Sequence, residues 1–126
     1  KPSSAASDVY KRQPHVSVFA PHSLPELSAS VLACGYFFGT EALTNAAKHA
    51  PGAPVSVLVT SDDSLRITVV DEGPGGAQVV PGRGLAGMAE RLAAFGGEMS
   101  LSSPPGGPTR VAGSIPLLLD RGQPGV

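Results

Sequence analysis

The sequence predicts an α/β (α+β) domain in which helices pack on one face of a mixed, mostly antiparallel sheet. Two observations predict it. VSVLVTS (55–61) and SLRITVVD (64–71) alternate apolar and polar with a period of two and are separated by a short acidic turn, a hairpin pattern. The order of periodic segments, β-α-β-β-loop-α-β-β, then places helices against a sheet that is not purely parallel.

Each element has its own signal. HVSVF (15–19) alternates as a short strand, and PHSLP (21–25) is a turn in which Ser23 is available as a helix cap. The first helix is expected from about Pro25, a favourable first-turn residue, to about His49, where Pro51-Gly52 stops it. Its core stripe is expected to be Leu32, Tyr36, Leu43, Ala47 and Ala50, with Cys34, Phe37 and Phe38 on the other side. EGPGGAQVVPGRG is too rich in Gly and Pro for regular structure. LAGMAERLAAF (85–95) is helical, with Leu85, Met88, Leu92 and Phe95 on one stripe and Gly96-Gly97 as its stop. EMSLSS and RVAGSIPLLL read as two strands around the turn PPGGPT.

At 126 residues the chain holds one core and no more. Nine basic and ten acidic residues give a formal charge of −1, so no basic field points to nucleic acid or to an anionic membrane surface. No run approaches the roughly 18 apolar residues of a membrane span. A single Cys34, in an apolar stretch, is expected to be a buried and inert thiol and fits a reducing compartment.

The chemistry-bearing residues fall in three clusters. In TEALTNAAKHA (40–50), Glu41, Asn45 and Lys48 or His49 lie at i, i+4 and i+7 or i+8 and form one polar stripe on a helix. The helix turns polar on this side only in its second half, which predicts a cavity over that half, although an ordinary solvated face has the same pattern. DEGPGG (71–76) ends a hydrophobic strand on Asp71 and follows it with glycines. Such a carboxylate accepts hydrogen bonds from an exocyclic amine, while glycines admit a flat ring to the backbone. GRGLAG (82–87) precedes a helix, whose free amides and dipole suit phosphate. It matches G-x-G-x-x-G literally, but a dinucleotide fold needs that motif directly after the first strand of a parallel βαβ unit, and here it follows a long loop. Taken singly, the two glycine clusters are equally well read as turns.

Together, in this order and spacing, the clusters resemble the N box and the two glycine boxes of the ATPase superfamily shared by Hsp90-type chaperones, type II topoisomerases, mismatch-repair ATPases and sensor histidine kinases. YFFGTEALTNAAKHA and GRGLAGMAERLAAFGGEMSLSSPPGG look most like the catalytic domain of sensor kinases that pair with helix-turn-helix response regulators. The resemblance covers residues 15–119 and implies a two-layer sandwich with ATP between a helix layer and a Gly-rich lid. It assigns Asn45 to Mg²⁺ and Glu41 to orienting a metal-bound water or assisting phosphoryl transfer. Lys48 and His49 then meet phosphate or the nucleotide sugar. Asp71 accepts from the adenine amino group, with Gly73 and Gly75 giving the ring access. Gly82, Arg83, Gly84 and Leu85 belong to the lid that closes over the phosphates, and Thr109 supports Asp71 through a bound water. The family turn before the last strand reads Gly-Gly-Thr or Gly-Thr, whereas this one reads Gly107-Pro108-Thr109, so an amide is lost there.

The resemblance also implies partners. None of the three histidines, His15, His22 and His49, fits a phosphoacceptor on a dimerisation helix. That domain is expected elsewhere in a longer, dimeric parent protein, with a cognate response regulator as the next recipient. The reading is a cytoplasmic catalytic domain, without direct contact to nucleic acid or membrane, whose parent is either soluble or membrane-anchored. Two alternatives share the fold: a serine kinase that restrains a sigma factor, and a non-catalytic ATP-gated module. Residues 1–14 are expected to be a disordered or non-native leader and 120–126 a flexible tail. DVYKRQ (8–13) matches the translation of a transposon end used in sequencing libraries, and an independent full-length copy of the gene carrying the same residues would refute a non-native origin.

Overall fold

The computed structural model describes residues 16–79 and 84–117. The elements are β1 (Val16–Phe19), α1 (Ala29–His49), β2 (Val55–Ser61), β3 (Ser64–Asp71), α2 (Gly84–Ala93), β4 (Glu98–Ser102) and β5 (Thr109–Pro116). The strands form one sheet in the order β1-β2-β3-β5-β4, parallel only between β1 and β2 and antiparallel elsewhere. This is the mixed sheet with helices on one face that the order of elements predicts. No described helix is long and apolar enough to cross a membrane.

Alternation along the strands decides which face is covered. Leu65, Ile67 and Val69 of β3 and Val111, Gly113 and Ile115 of β5 are buried under the helices, while Arg66 and Arg110 point the other way into solvent. Phe38 of α1, Met88 and Leu92 of α2 and Ile115 of β5 are the largest fully buried side chains. Gly113 makes their close approach possible: a Cβ there would stand 2.9 Å from both Leu92 and Phe38. The β2–β3 turn is fixed by Asp62, which accepts from the Ser64 amide (2.9 Å) and pairs with Arg66 (3.2 Å). These contacts, the amide first, hold its carboxyl below the usual carboxylate range.

Two expectations about α1 are corrected. The helix begins at Ala29 rather than near Pro25, and its cap is Ser28, whose hydroxyl accepts from the Val31 amide at 3.2 Å, not Ser23. Pro25 biases Leu24 away from helical backbone, and Ser28 is the next residue able to satisfy a free helix amide. The buried stripe also lies elsewhere. Leu32 and Tyr36 are 54% and 63% exposed and Ala47 is exposed, whereas Val31, Cys34, Gly35, Phe38, Ala42 and Ala46 face the core; only Leu43 and Ala50 of the expected stripe are buried. The first half of α1 is apolar on nearly every side, so periodicity leaves its phase open. The sheet sets it instead, through Gly35, where a Cβ would lie 3.2 Å from Leu65 and 3.4 Å from Ile67.

The remaining boundaries agree to within two residues except at the end of β5, which stops at Pro116 rather than at 119; residues 118 and 119 lie outside the described residues. α2 spans Gly84–Ala93, with Met88 and Leu92 buried, Leu85 and Phe95 packed beside them, and the Gly97 amide closing the end on the Leu92 carbonyl at 2.8 Å. Cys34 is buried as expected, and burial raises its thiol pKa, which keeps it protonated and unreactive. His15 and the segments 1–14 and 120–126 lie outside the described residues.

Because Phe38 is wedged between α2 and Gly113, Phe38→Ala should cost about 3–5 kcal/mol of stability. A urea unfolding curve checks this through its midpoint.

Candidate functional site

β3 ends on a residue that breaks its own pattern. Its inward row runs Leu65, Ile67, Val69, Asp71, and Asp71 is the one buried charged residue among those described, 7% exposed. β5 does the same in register: its inward row runs Ile115, Gly113, Val111, Thr109, and Thr109 pairs directly with Asp71. Two apolar rows thus finish side by side in a carboxylate and a hydroxyl. Above them a cavity of about 420 Å³ opens between the sheet, the second half of α1 and the start of α2. Its walls include Ala42, Asn45, Ala46, His49 and Ala50 from α1, Val69 and Val111 from the sheet, and Gly84 and Leu85 from α2.

Asp71 has one carboxylate oxygen engaged. Its Oδ1 accepts from the Gly73 amide at 3.0 Å. Its Oδ2 has no protein donor within hydrogen-bond distance among the described residues, and Asp71 lines the cavity. A buried carboxylate with spare acceptor capacity suits a donor group brought in by a ligand.

Asn45 stands on the helix wall, half-buried. Its amide nitrogen lies 3.7 Å from the Sδ of the fully buried Met88, and among the described residues no protein donor engages its carbonyl oxygen. The start of α2 is close, since a Cβ on Gly84 would lie 3.5 Å from that oxygen. Among the described residues no three His, Cys, Asp or Glu side chains gather as a metal cage. A cation here would draw one hard oxygen from the protein and its other ligands from elsewhere.

The floor is a clamped loop. Residues 72–77 follow β3 and lie against the 103–108 turn, with the Gly76 amide donating to the Ser103 carbonyl (2.9 Å), the Ala77 amide to the Ser103 hydroxyl (2.8 Å) and the Gly106 amide to the Pro74 carbonyl (2.7 Å). Gly75 has φ +74°, and a Cβ on it would sit 1.9 Å from the Pro104 carbonyl oxygen, so no side chain fits there.

Of the residues the sequence singles out, Asn45, His49, Asp71, Gly75, Gly84, Leu85 and Thr109 line one cavity. Gly73 stands behind Asp71 as its amide donor. Glu41, half-buried, and Lys48, exposed, are on α1 but outside the lining. Gly82 and Arg83 lie outside the described residues. Sequence reasoning missed the small apolar wall (Ala42, Ala46, Ala50) and Ser103. Ala at i, i+4 and i+8 along α1 was a legible signal for a close approach; one serine of the run Ser100, Ser102 and Ser103 carried none.

Residues 39–119 match the family model of the histidine kinase-, DNA gyrase B- and HSP90-like ATPases. The chain is 33% identical over 79 residues to the sensor histidine kinase YxjM of Bacillus subtilis (strain 168), an alignment covering 62% of this chain and 20% of that protein. The histidine kinase domain of the Erythrobacter litoralis EL346 blue-light activated histidine kinase superposes with TM-score 0.67 at 23% identity, covering 89% of this chain and 61% of that one. ShkA, solved full-length in complex with AMPPNP, superposes with TM-score 0.70 at 20% identity, over 89% of this chain and 28% of that one.

Gly75→Ala should strain the loop by about 1–3 kcal/mol and loosen it from the turn. Hydrogen exchange at the Gly76, Ala77 and Gly106 amides should accelerate while the β2–β3 amides keep their protection.

Proposed function

We propose a function on one premise: this chain belongs to the family of histidine kinase-, DNA gyrase B- and HSP90-like ATPases. The chain is the ATP-binding catalytic domain of a sensor histidine kinase and transfers the γ-phosphoryl of Mg-ATP to a histidine on a separate phosphoacceptor and dimerisation domain. The observation that carries this reading is Asp71, a buried carboxylate with an open acceptor position at the floor of a cavity faced by Asn45. The kinship with YxjM supports the choice of a histidine kinase within the family. The AMPPNP complex of ShkA supports an adenine nucleotide as the ligand. The response regulator is of the helix-turn-helix class, from the resemblance of GRGLAGMAERL, and the reaction takes place in the cytoplasm, where ATP is held.

The adenine amino group donates to Asp71, with Gly73 and Gly75 letting the ring lie against the loop. Thr109, opposite Asp71, holds the water that completes this edge. Asn45 offers its carbonyl oxygen to Mg²⁺, and one side-chain oxygen with phosphates and waters is a usual ligand set for that ion. When bound, Mg²⁺ neutralises phosphate charge. Lys48 and His49 meet the phosphates or the sugar, and Gly84 and Leu85 at the start of α2 offer them backbone amides; Gly82 and Arg83, assigned to the same lid by the resemblance, lie outside the described residues. Glu41, one turn before Asn45 on α1, would orient a metal-bound water or assist phosphoryl transfer. Transfer of this kind rests on positioning and charge neutralisation.

Asp71→Ala should lower ATP affinity about ten- to a hundredfold, the loss of one charge-assisted hydrogen bond in a buried site. Calorimetry giving an unchanged affinity would refute the adenine assignment. Asn45→Ala should remove the Mg²⁺ dependence of that affinity, and Glu41→Gln should keep binding but lose transfer. A wild-type transfer rate in Glu41→Gln would make Glu41 a structural residue. Finally, the chain alone should bind Mg-ATP without labelling itself. His49, exposed at the end of α1, lines the cavity beside the proposed metal ligand, and attack needs a nucleophile in line within roughly 3–3.5 Å of phosphorus. Adding a phosphoacceptor segment should restore labelling from γ-labelled ATP, and acid-labile label on the isolated chain would refute the need for a second domain.

A further inference from the structure

We propose that Ser103 is a positioning residue that sets which nucleobase the cavity accepts, by fixing the direction in which the Thr109 hydroxyl donates. The inference rests on the reading of the cavity as a nucleotide site. Ser103 is half-buried, stands just past the end of β4 and does not line the cavity. Its Oγ accepts the Ala77 amide at 2.8 Å and lies 2.6 Å from Thr109 Oγ1. Its carbonyl accepts the neighbouring Gly76 amide at 2.9 Å. One residue therefore holds two successive amides of the cavity floor and, with the same hydroxyl, touches the side chain that faces the ligand beside Asp71.

The consequence lies in proton direction. A hydroxyl that already accepts one hydrogen bond becomes a better donor, because bonds in a chain polarise one another. The favoured sequence is Ala77 N–H to Ser103 Oγ, Ser103 O–H to Thr109 Oγ1, and Thr109 O–H onward into the cavity, directly or through a water. Thr109 then presents a donor next to Asp71, which presents an acceptor. Adenine carries the complementary pair on one edge, an amino donor at N6 and an acceptor at N1. Guanine carries the reverse, an acceptor at O6 and a donor at N1. Without Ser103 the Thr109 hydroxyl rotates freely and can accept as readily as donate, so the site loses part of its reason to reject guanine.

Calorimetry of the full 126-residue chain with ATP and with GTP tests this. Ser103→Ala should weaken ATP about three- to tenfold, the worth of one neutral hydrogen bond, and leave GTP unchanged or tighter, so the ATP:GTP preference narrows. Ser103→Thr, which keeps the hydroxyl, should restore the preference. Thr109→Val should narrow it as well, and adding Ser103→Ala to Thr109→Val should narrow it no further, because both act through one hydrogen bond. An unchanged ATP:GTP ratio in Ser103→Ala, or equal losses for both nucleotides, overturns the proposal and leaves Ser103 as a loop anchor only. Should Ser103→Ala not fold, the same ratio measured on Thr109→Val and Ser103→Thr decides. Failure of the wild-type chain to bind ATP overturns the nucleotide reading and this proposal with it.

Discussion

The site depends on a carboxylate kept out of water at the end of an apolar row. Burial of Asp71 is costly unless its oxygens find donors, and the fold supplies one, the Gly73 amide. The arrangement needs the chain to reverse immediately after β3, and the following loop needs support of its own. That support comes from the 103–108 turn, which takes up the Gly76 and Ala77 amides and returns the Gly106 amide to Pro74. The β4–β5 turn is thus part of the site although only Thr109, at its end, faces the cavity. A residue whose acceptor capacity is only half used by the protein leaves the other half to the proposed ligand, whose binding would then stabilise the loop that follows β3.

The helix layer provides the opposite wall for a different reason. Between Ala42 and Ala50 the side of α1 facing the sheet carries alanines, so the helix adds little bulk there and a space remains between it and β3 and β5. Toward its N-terminus the same face carries Val31, Cys34 and Phe38, which fill that space. One helix is therefore core at one end and cavity wall at the other. The contact between Asn45 and Met88 ties the change to α2, whose start borders the same cavity.

Most of this was legible in the sequence, and the failures have identifiable causes. Period-two alternation located β2, β3 and β5, because each has one face against the core and one against solvent. Asp71, Asn45 and the glycines were legible because their chemistry contradicts their surroundings: a charge closing a hydrophobic strand, a carboxamide among alanines. The phase of α1 was not. Leu32, Tyr36, Phe37 and Phe38 are all large and apolar, and choosing among them requires knowing that Gly35 meets Leu65 and Ile67 across the interface. Ser103 was equally invisible, since its importance lies in three partners distant in sequence or separated by a turn.

Position along α1 orders the steps of the proposed reaction. Ala50 marks the end of the cavity nearest Asp71, where the proposal seats the base, because the loop that follows Asp71 reaches it: a Cβ on Gly73 would overlap Ala50. Asn45 lies roughly 7–8 Å nearer the N-terminus and Glu41 about 6 Å further still, at 1.5 Å per residue. Under the proposed reaction the helix acts as a ruler, with base recognition assigned to one end, metal coordination to the middle and Glu41 outside the cavity lining. Binding needs enclosure, so the residues that read the base lie inside. Transfer to another domain needs access, so a residue that serves the incoming acceptor has to lie where the enclosure ends. Glu41, half-buried and outside the cavity lining, meets that requirement. In the proposed reaction Glu41 would then serve the transfer step rather than the holding of the nucleotide, and Asn45 and Asp71 the holding.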